Sequence, residues 1–119
     1  MIARRLSVVV LLLAVLAGCG GDSQCGGGAR SSLSVWAEKE RHIGATFMLS
    51  DARPGAAWRL VVVHEGHVAW RGRALVDRNG GLKVYRRFGD YTGADRVTVR
   101  AYGPGGATCA AAARLSDET

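Results

Sequence analysis

Residues 58–76 read WRLVVVHEGHVAWRGRALV. Trp58, Leu60 and Val62 alternate with Arg59, Val61 and Val63, the period-two pattern of a strand with one buried face. His64-Glu65-Gly66 breaks the run, and a second alternating stretch follows from His67, so the segment predicts a β-hairpin. Its register follows from charge. A two-residue turn at Glu65-Gly66 sets Val62 against Ala69 and Leu60 against Arg71, placing a guanidinium in the apolar row. A three-residue loop with Gly66 in the left-handed region instead pairs Val62 with Val68 and Leu60 with Trp70. That register predicts a core face of Trp58, Leu60, Val62, Val68 and Trp70. Arg59, Arg71 and Arg73 then point outward, with Val61 and Val63 partly exposed among them. These five residues form the candidate binding surface.

Outward from the hairpin the same signal repeats. Short alternating segments run over residues 33–37, 43–49, 58–63, 67–76, 82–88, 96–102 and 108–115, separated by Asp51-Ala52-Arg53-Pro54-Gly55, Asp77-Arg78-Asn79-Gly80-Gly81 and Gly103-Pro104-Gly105-Gly106. The clusters contain residues that accept positive φ or preset a bend. No long helical period and no internal repeat is present, and seven short strands at this spacing predict an all-β, antiparallel sandwich. The alanine run 110–113 has helical propensity, but Cys109, Ala111, Ala113 and Leu115 fall on one side of an alternation, which predicts a strand.

The chain has 119 residues with 48% apolar content, a net charge of +6 and three cysteines. This size permits one small domain and excludes a large two-domain enzyme. Much of the apolar content is local. Arg4 and Arg5 precede an apolar run from Leu6 to Leu16, followed by small Ala17 and Gly18, the layout of an export signal. The run is too short for a mature membrane span, which needs about 20 residues. Leu16-Ala17-Gly18-Cys19 then resembles a bacterial lipobox, in which the cysteine is acylated and becomes the first mature residue. Two or three acyl chains there give lasting attachment, whereas one holds only marginally. Removing the 18-residue signal leaves 101 residues, and loss of two arginines and no acid lowers the charge to +4. The resemblance is to small actinomycete-type envelope lipoproteins. It implies palmitate or a similar lipid on Cys19 and a place on the extracytoplasmic side of the cell membrane. Fourteen Arg against two Lys reflects GC-rich coding.

With Cys19 assigned to lipid, Cys25 and Cys109 are left in an oxidising compartment, and a disulfide is expected. It closes a loop of about 85 residues and stabilises by about 4 kcal/mol in the chain-entropy picture. A free-thiol metal or redox pair is the alternative, without CxxC spacing or a neighbouring histidine to favour it. Residues 20–32, GGDSQCGGGARSS, lack apolar periodicity and predict a flexible tether. Gly21-Asp22-Ser23 has the order of a hydrolase nucleophile motif, but a serine in a linker has no fixed base or oxyanion hole.

Trp58-x-Leu60-x-Val62 followed by the hairpin, and then Gly93-Ala94-Asp95-Arg96-Val97-Thr98-Val99-Arg100-Ala101, resemble an immunoglobulin or fibronectin type III sandwich over residues 32–115. Two features depart from that pattern. Asp95 stands where a corner tyrosine belongs, and Cys25 and Cys109 do not form the inter-sheet pair of antibody domains. The resemblance implies a binding or scaffold role.

Other polar clusters resemble chemical motifs only in part. His64-Glu65-Gly66-His67 is one residue short of HExxH, a pattern that needs a helix to converge two histidines, so turn polarity explains it better and His64 and His67 are weak metal candidates. Asp77 with Asn79, and Asp90 with Asp95, have too few oxygens for calcium and suit Asx turns. Arg71, Arg73, Arg86, Arg87, Arg96 and Arg100 lie on successive strands, where some can gather into a basic patch facing anionic lipid or an envelope polymer.

The expected organisation is a signal peptide at 1–18, lipidated Cys19 and tether at 19–31, and a sandwich at 32–119. The expected function is a non-catalytic, monomeric binding or structural module at the cell envelope, held by its lipid, with no cofactor and no nucleic-acid partner. A protein ligand is also open, and the alternative functions are an inhibitor of an envelope-targeting enzyme and weak metal binding at His64 and His67.

Overall fold

A computed structural model of the protein describes residues 20–25, 28–89 and 92–116. Eight strands form: β1 Gly20–Gln24, β2 Arg30–Glu38, β3 His42–Ser50, β4 Ala57–His64, β5 His67–Leu75, β6 Leu82–Phe88, β7 Ala94–Tyr102 and β8 Thr108–Ser116. They make two antiparallel sheets, ordered β1-β2-β3-β6 and β5-β4-β7-β8. In immunoglobulin lettering β2, β3 and β6 take the places of A, B and E, and β5, β4, β7 and β8 those of C′, C, F and G. All seven predicted strands are present, the alanine run among them.

Alternation builds the core between the sheets. Leu33 and Val35 on β2, Ile43, Ala45, Phe47 and Leu49 on β3, and Leu82 and Val84 on β6 face Trp58, Leu60 and Val62 on β4, Val97, Val99 and Ala101 on β7, and Cys109, Ala111 and Ala113 on β8. Each buried aliphatic side chain contributes about 1.5–3 kcal/mol before entropy is counted.

Two expectations are corrected. The segment read as a tether enters the fold: Gly20–Gln24 pairs with β2 from Gly20 opposite Ser34 to Gln24 opposite Arg30. Pairing of this kind needs only main-chain groups, so a Gly/Ser-rich stretch can supply it without side-chain alternation. The hairpin register also differs. Glu65 and Gly66 have φ of 51° and 83°, and His64 pairs with His67, so the turn has two residues with positive φ. The charge problem that argued against this turn is solved by a bulge. Val63 pairs with Val68 and Val62 with Trp70, leaving Ala69 as the extra residue. Trp70 therefore joins Trp58, Leu60 and Val62 on the inner side, whereas Val68 turns outward and is 49% exposed.

Trp70 lies across Gly72, where a Cβ would stand 2.3 Å from its Cζ2 atom, so only glycine fits beneath the indole. The Arg86 guanidinium covers the ring at 4.1 Å and closes the open edge between β5 and β6. Among the described residues, no helix is long and apolar enough to cross a membrane.

Candidate functional site

The outer face of β5-β4-β7-β8 follows from strand parity. Trp58, Leu60 and Val62 face inward, so Arg59, Val61 and Val63 face outward, and the same parity applies across the ladder. Arg73, Arg59, Tyr102 and Thr108 form one cross-strand row. Arg71, Val61, Arg100 and Ala110 form the next, and Val68, Val63, Thr98 and Ala112 the third. Beyond them Arg96 pairs with Arg114. Six arginines, at 59, 71, 73, 96, 100 and 114, are thus exposed on one sheet face. Val61 and Val63 are half-buried between them, as the sequence predicts.

None of these arginines makes an ion pair among the described residues. Arg59 rests over the Tyr102 ring at 5.2 Å, a contact that keeps its charge. Glu65 sits at the end of the face, yet its carboxylate accepts the Arg96 backbone N–H rather than the guanidinium. Rows along the strands are about 7 Å apart and neighbouring strands about 4.8 Å apart. The face is consequently a dense array of planar donors, without an ion pair among the described residues, suited to phosphate or carboxylate oxygens.

Two of the suspected basic residues go elsewhere. Arg86 closes the β5–β6 edge, and Arg87 on the other sheet pairs with Glu38 at 2.9 Å. Glu38 also accepts Tyr85 Oη–H at 2.8 Å and Trp36 Nε1–H at 2.9 Å. The Tyr85 hydrogen bond, chiefly, holds the Glu38 carboxyl below its ordinary range, with Trp36 and Arg87 adding to it against partial desolvation. The same bond raises Tyr85. Trp36 and Tyr85 lie nearly parallel, at 5.9 Å between centroids. Arg87 is therefore paired with an acid on this sheet, whereas the six arginines of the opposite face make no ion pair among the described residues.

His64 is not a surface turn residue, as its place in the hairpin suggests. Parity carries it inward, where it is 8% exposed and its Nε2 lies 2.5 Å from Asp95 Oδ2. Asp95 is fully buried. Its Oδ1 accepts the Thr92 N–H, the Thr92 Oγ1–H and the Gly93 N–H, each at 2.9 Å. Asp95 thus fastens the turn before β7 by a carboxylate. Burial pushes its pKa up, but hydrogen bonds from His64, Thr92 and Gly93 outweigh this and hold it below the ordinary value. His64, Glu65 and Asp95 bring donor atoms within 4.8 Å of one another, a grouping that excludes His67. Thr92-Gly93-Ala94-Asp95 is a local side-chain-to-backbone pattern that the sequence offers for this corner.

Asp77 behaves as the sequence suggests, its Oδ1 accepting the N–H groups of Asn79 and Gly81 in an Asx-type turn. Asp90, residues 1–18, where a signal segment is expected, and Cys19 lie outside the described residues. Cys25 and Cys109 are joined, with a Cα separation of 4.5 Å, and tie the β1–β2 connection to β8. Both are buried. No family model matches this chain, and no curated protein matches it.

Proposed function

We propose that this protein is a lipid-anchored, non-catalytic binding module on the extracytoplasmic side of the cell membrane, and that it holds an anionic partner on the arginine face of β5-β4-β7-β8. The observation that carries this reading is the collection of six exposed arginines on one sheet face without an ion pair among the described residues. Side chains kept together in that state lose cross-strand stability through like-charge repulsion, a cost that a binding role explains. The guanidinium fork suits phosphate and carboxylate oxygens better than a lysine array does. Attachment through Cys19 rests on the lipobox resemblance of Leu16-Ala17-Gly18-Cys19 behind an export signal.

Two measurements test the reading. Globomycin treatment, or Cys19→Ala, is expected to release the protein from the membrane fraction, and unchanged retention defeats the anchor. The protein is expected to bind inorganic polyphosphate with an affinity that falls steeply as salt rises, and Arg71→Gln with Arg100→Gln to weaken it severalfold. Binding that ignores both salt and these substitutions removes the arginine face from the account.

A further inference from the structure

We propose that the arginine face lies flat on the anionic phospholipid headgroups of the membrane that carries the anchor, so that one bilayer is held twice, by acyl chains and by a sheet. This inference rests on the anchored, anion-binding reading above and names the partner of the same face.

Three observations favour a bilayer surface. The first is where the anchored end leaves the domain. Gly20 already belongs to β1, and β1 packs beside β8, the edge strand of the arginine sheet. A lipid on Cys19 therefore emerges at the margin of that sheet without intervening linker, and the face starts beside the membrane. The second is shape. The arginines occupy three adjacent strands and the β8 edge of an open sheet face, a two-dimensional array matched to a plane of headgroups. A polymer strand is better held by a groove. The third is the apolar material between the charges. Val61 and Val63 are half-buried, Val68 is 49% exposed, and Leu75, which shares this face, is 69% exposed. Guanidiniums at phosphate depth with short apolar side chains between them match the chemistry of the headgroup boundary. A second, polybasic signal also complements acyl chains in making attachment lasting.

The test uses the mature acylated protein in vesicles of phosphatidylcholine, with or without phosphatidylglycerol. An environment-sensitive fluorophore is placed at Thr98→Cys, inside the arginine face, or at Met48→Cys, on the outer side of the other sheet. With phosphatidylglycerol present, the fluorophore at 98 is expected to shift to the blue and become at least about fivefold less accessible to aqueous iodide, as expected for close electrostatic contact. The fluorophore at 48 is expected to be unchanged. Salt at about 0.5 M reverses the protection at 98. Replacing all six arginines by glutamine abolishes it while the protein still sediments with the vesicles. Should the sixfold variant fail to fold, Arg71→Gln with Arg100→Gln is expected to reduce the protection by at least about fivefold.

Equal exposure of position 98 on both vesicles, with the protein still bound, overturns the inference and leaves the anchor standing. Failure to sediment with either vesicle instead defeats the anchor itself. Protection of position 98 by soluble polyphosphate but not by phosphatidylglycerol vesicles assigns the face to a polymer and also overturns the inference.

Discussion

Asp95 Oδ2 lies 2.5 Å from His64 Nε2, joining β7 to β4 at the hairpin end of the sandwich. The pair also positions the turn before β7, because the other carboxylate oxygen takes three donors from Thr92 and Gly93. One buried side chain thus satisfies main-chain groups on one side and a histidine on the other.

Asp95→Ala leaves those donors and His64 buried without an acceptor. A loss of about 3 kcal/mol in unfolding free energy is expected from urea titration. Asp95→Asn keeps the size and two acceptor lone pairs, and is expected to cost less. Equal losses would mean that the carboxylate charge, rather than the size and acceptor oxygen that asparagine keeps, carries the whole contribution.

The depressed pKa of Asp95 sets the direction of its pH dependence. The folded protein holds this carboxyl ionised to lower pH than the unfolded chain does, so the unfolded state binds more protons across that interval. The stabilisation is complete above the ordinary aspartate range and is lost as pH falls through the folded value. Urea midpoints measured down an acid series are expected to decline, and Asp95→Asn is expected to flatten part of that decline.

Reducing the Cys25–Cys109 disulfide frees a loop spanning 84 residues of sequence separation. Cys25→Ala with Cys109→Ala is expected to lower stability by about 4 kcal/mol, and dithiothreitol is expected to lower the melting temperature of the natural protein but not that of the double variant.

Gly72→Ala tests the closed β5–β6 edge. The new methyl would overlap the Trp70 ring, so the indole must leave its place beneath Arg86. A loss of about 1–3 kcal/mol is expected, with a red shift of tryptophan emission. Unchanged emission would show that Trp70 holds its position by other contacts.

The strands were legible because each carries its own alternation, and even the inward turn of His64 was available, since Trp58, Leu60 and Val62 continue in phase to it. Its place beside the turn masks this, because residues flanking a turn usually face solvent. The register of the hairpin was not legible, because Ala69 gives no local sign that it will be the extra residue of a bulge. β1 was invisible for a different reason: its contribution is main-chain pairing with β2, which leaves no trace in side-chain pattern. The arginine face was half legible. Arg59, Arg71 and Arg73 follow from one hairpin, whereas Arg96, Arg100 and Arg114 join them only when the order β5-β4-β7-β8 is known.

Arg59 stands directly opposite Arg73, and Arg96 directly opposite Arg114. Each is a like-charge cross-strand pair, so the ligand-free sheet carries internal repulsion. The ionic-strength response of the free domain therefore has an unusual sign at this face: counterions relieve the arrangement, and moderate salt is expected to raise the melting temperature. An anion bound as proposed would do the same more effectively, so binding at this face is expected to raise thermal resistance, with the free domain the softer state.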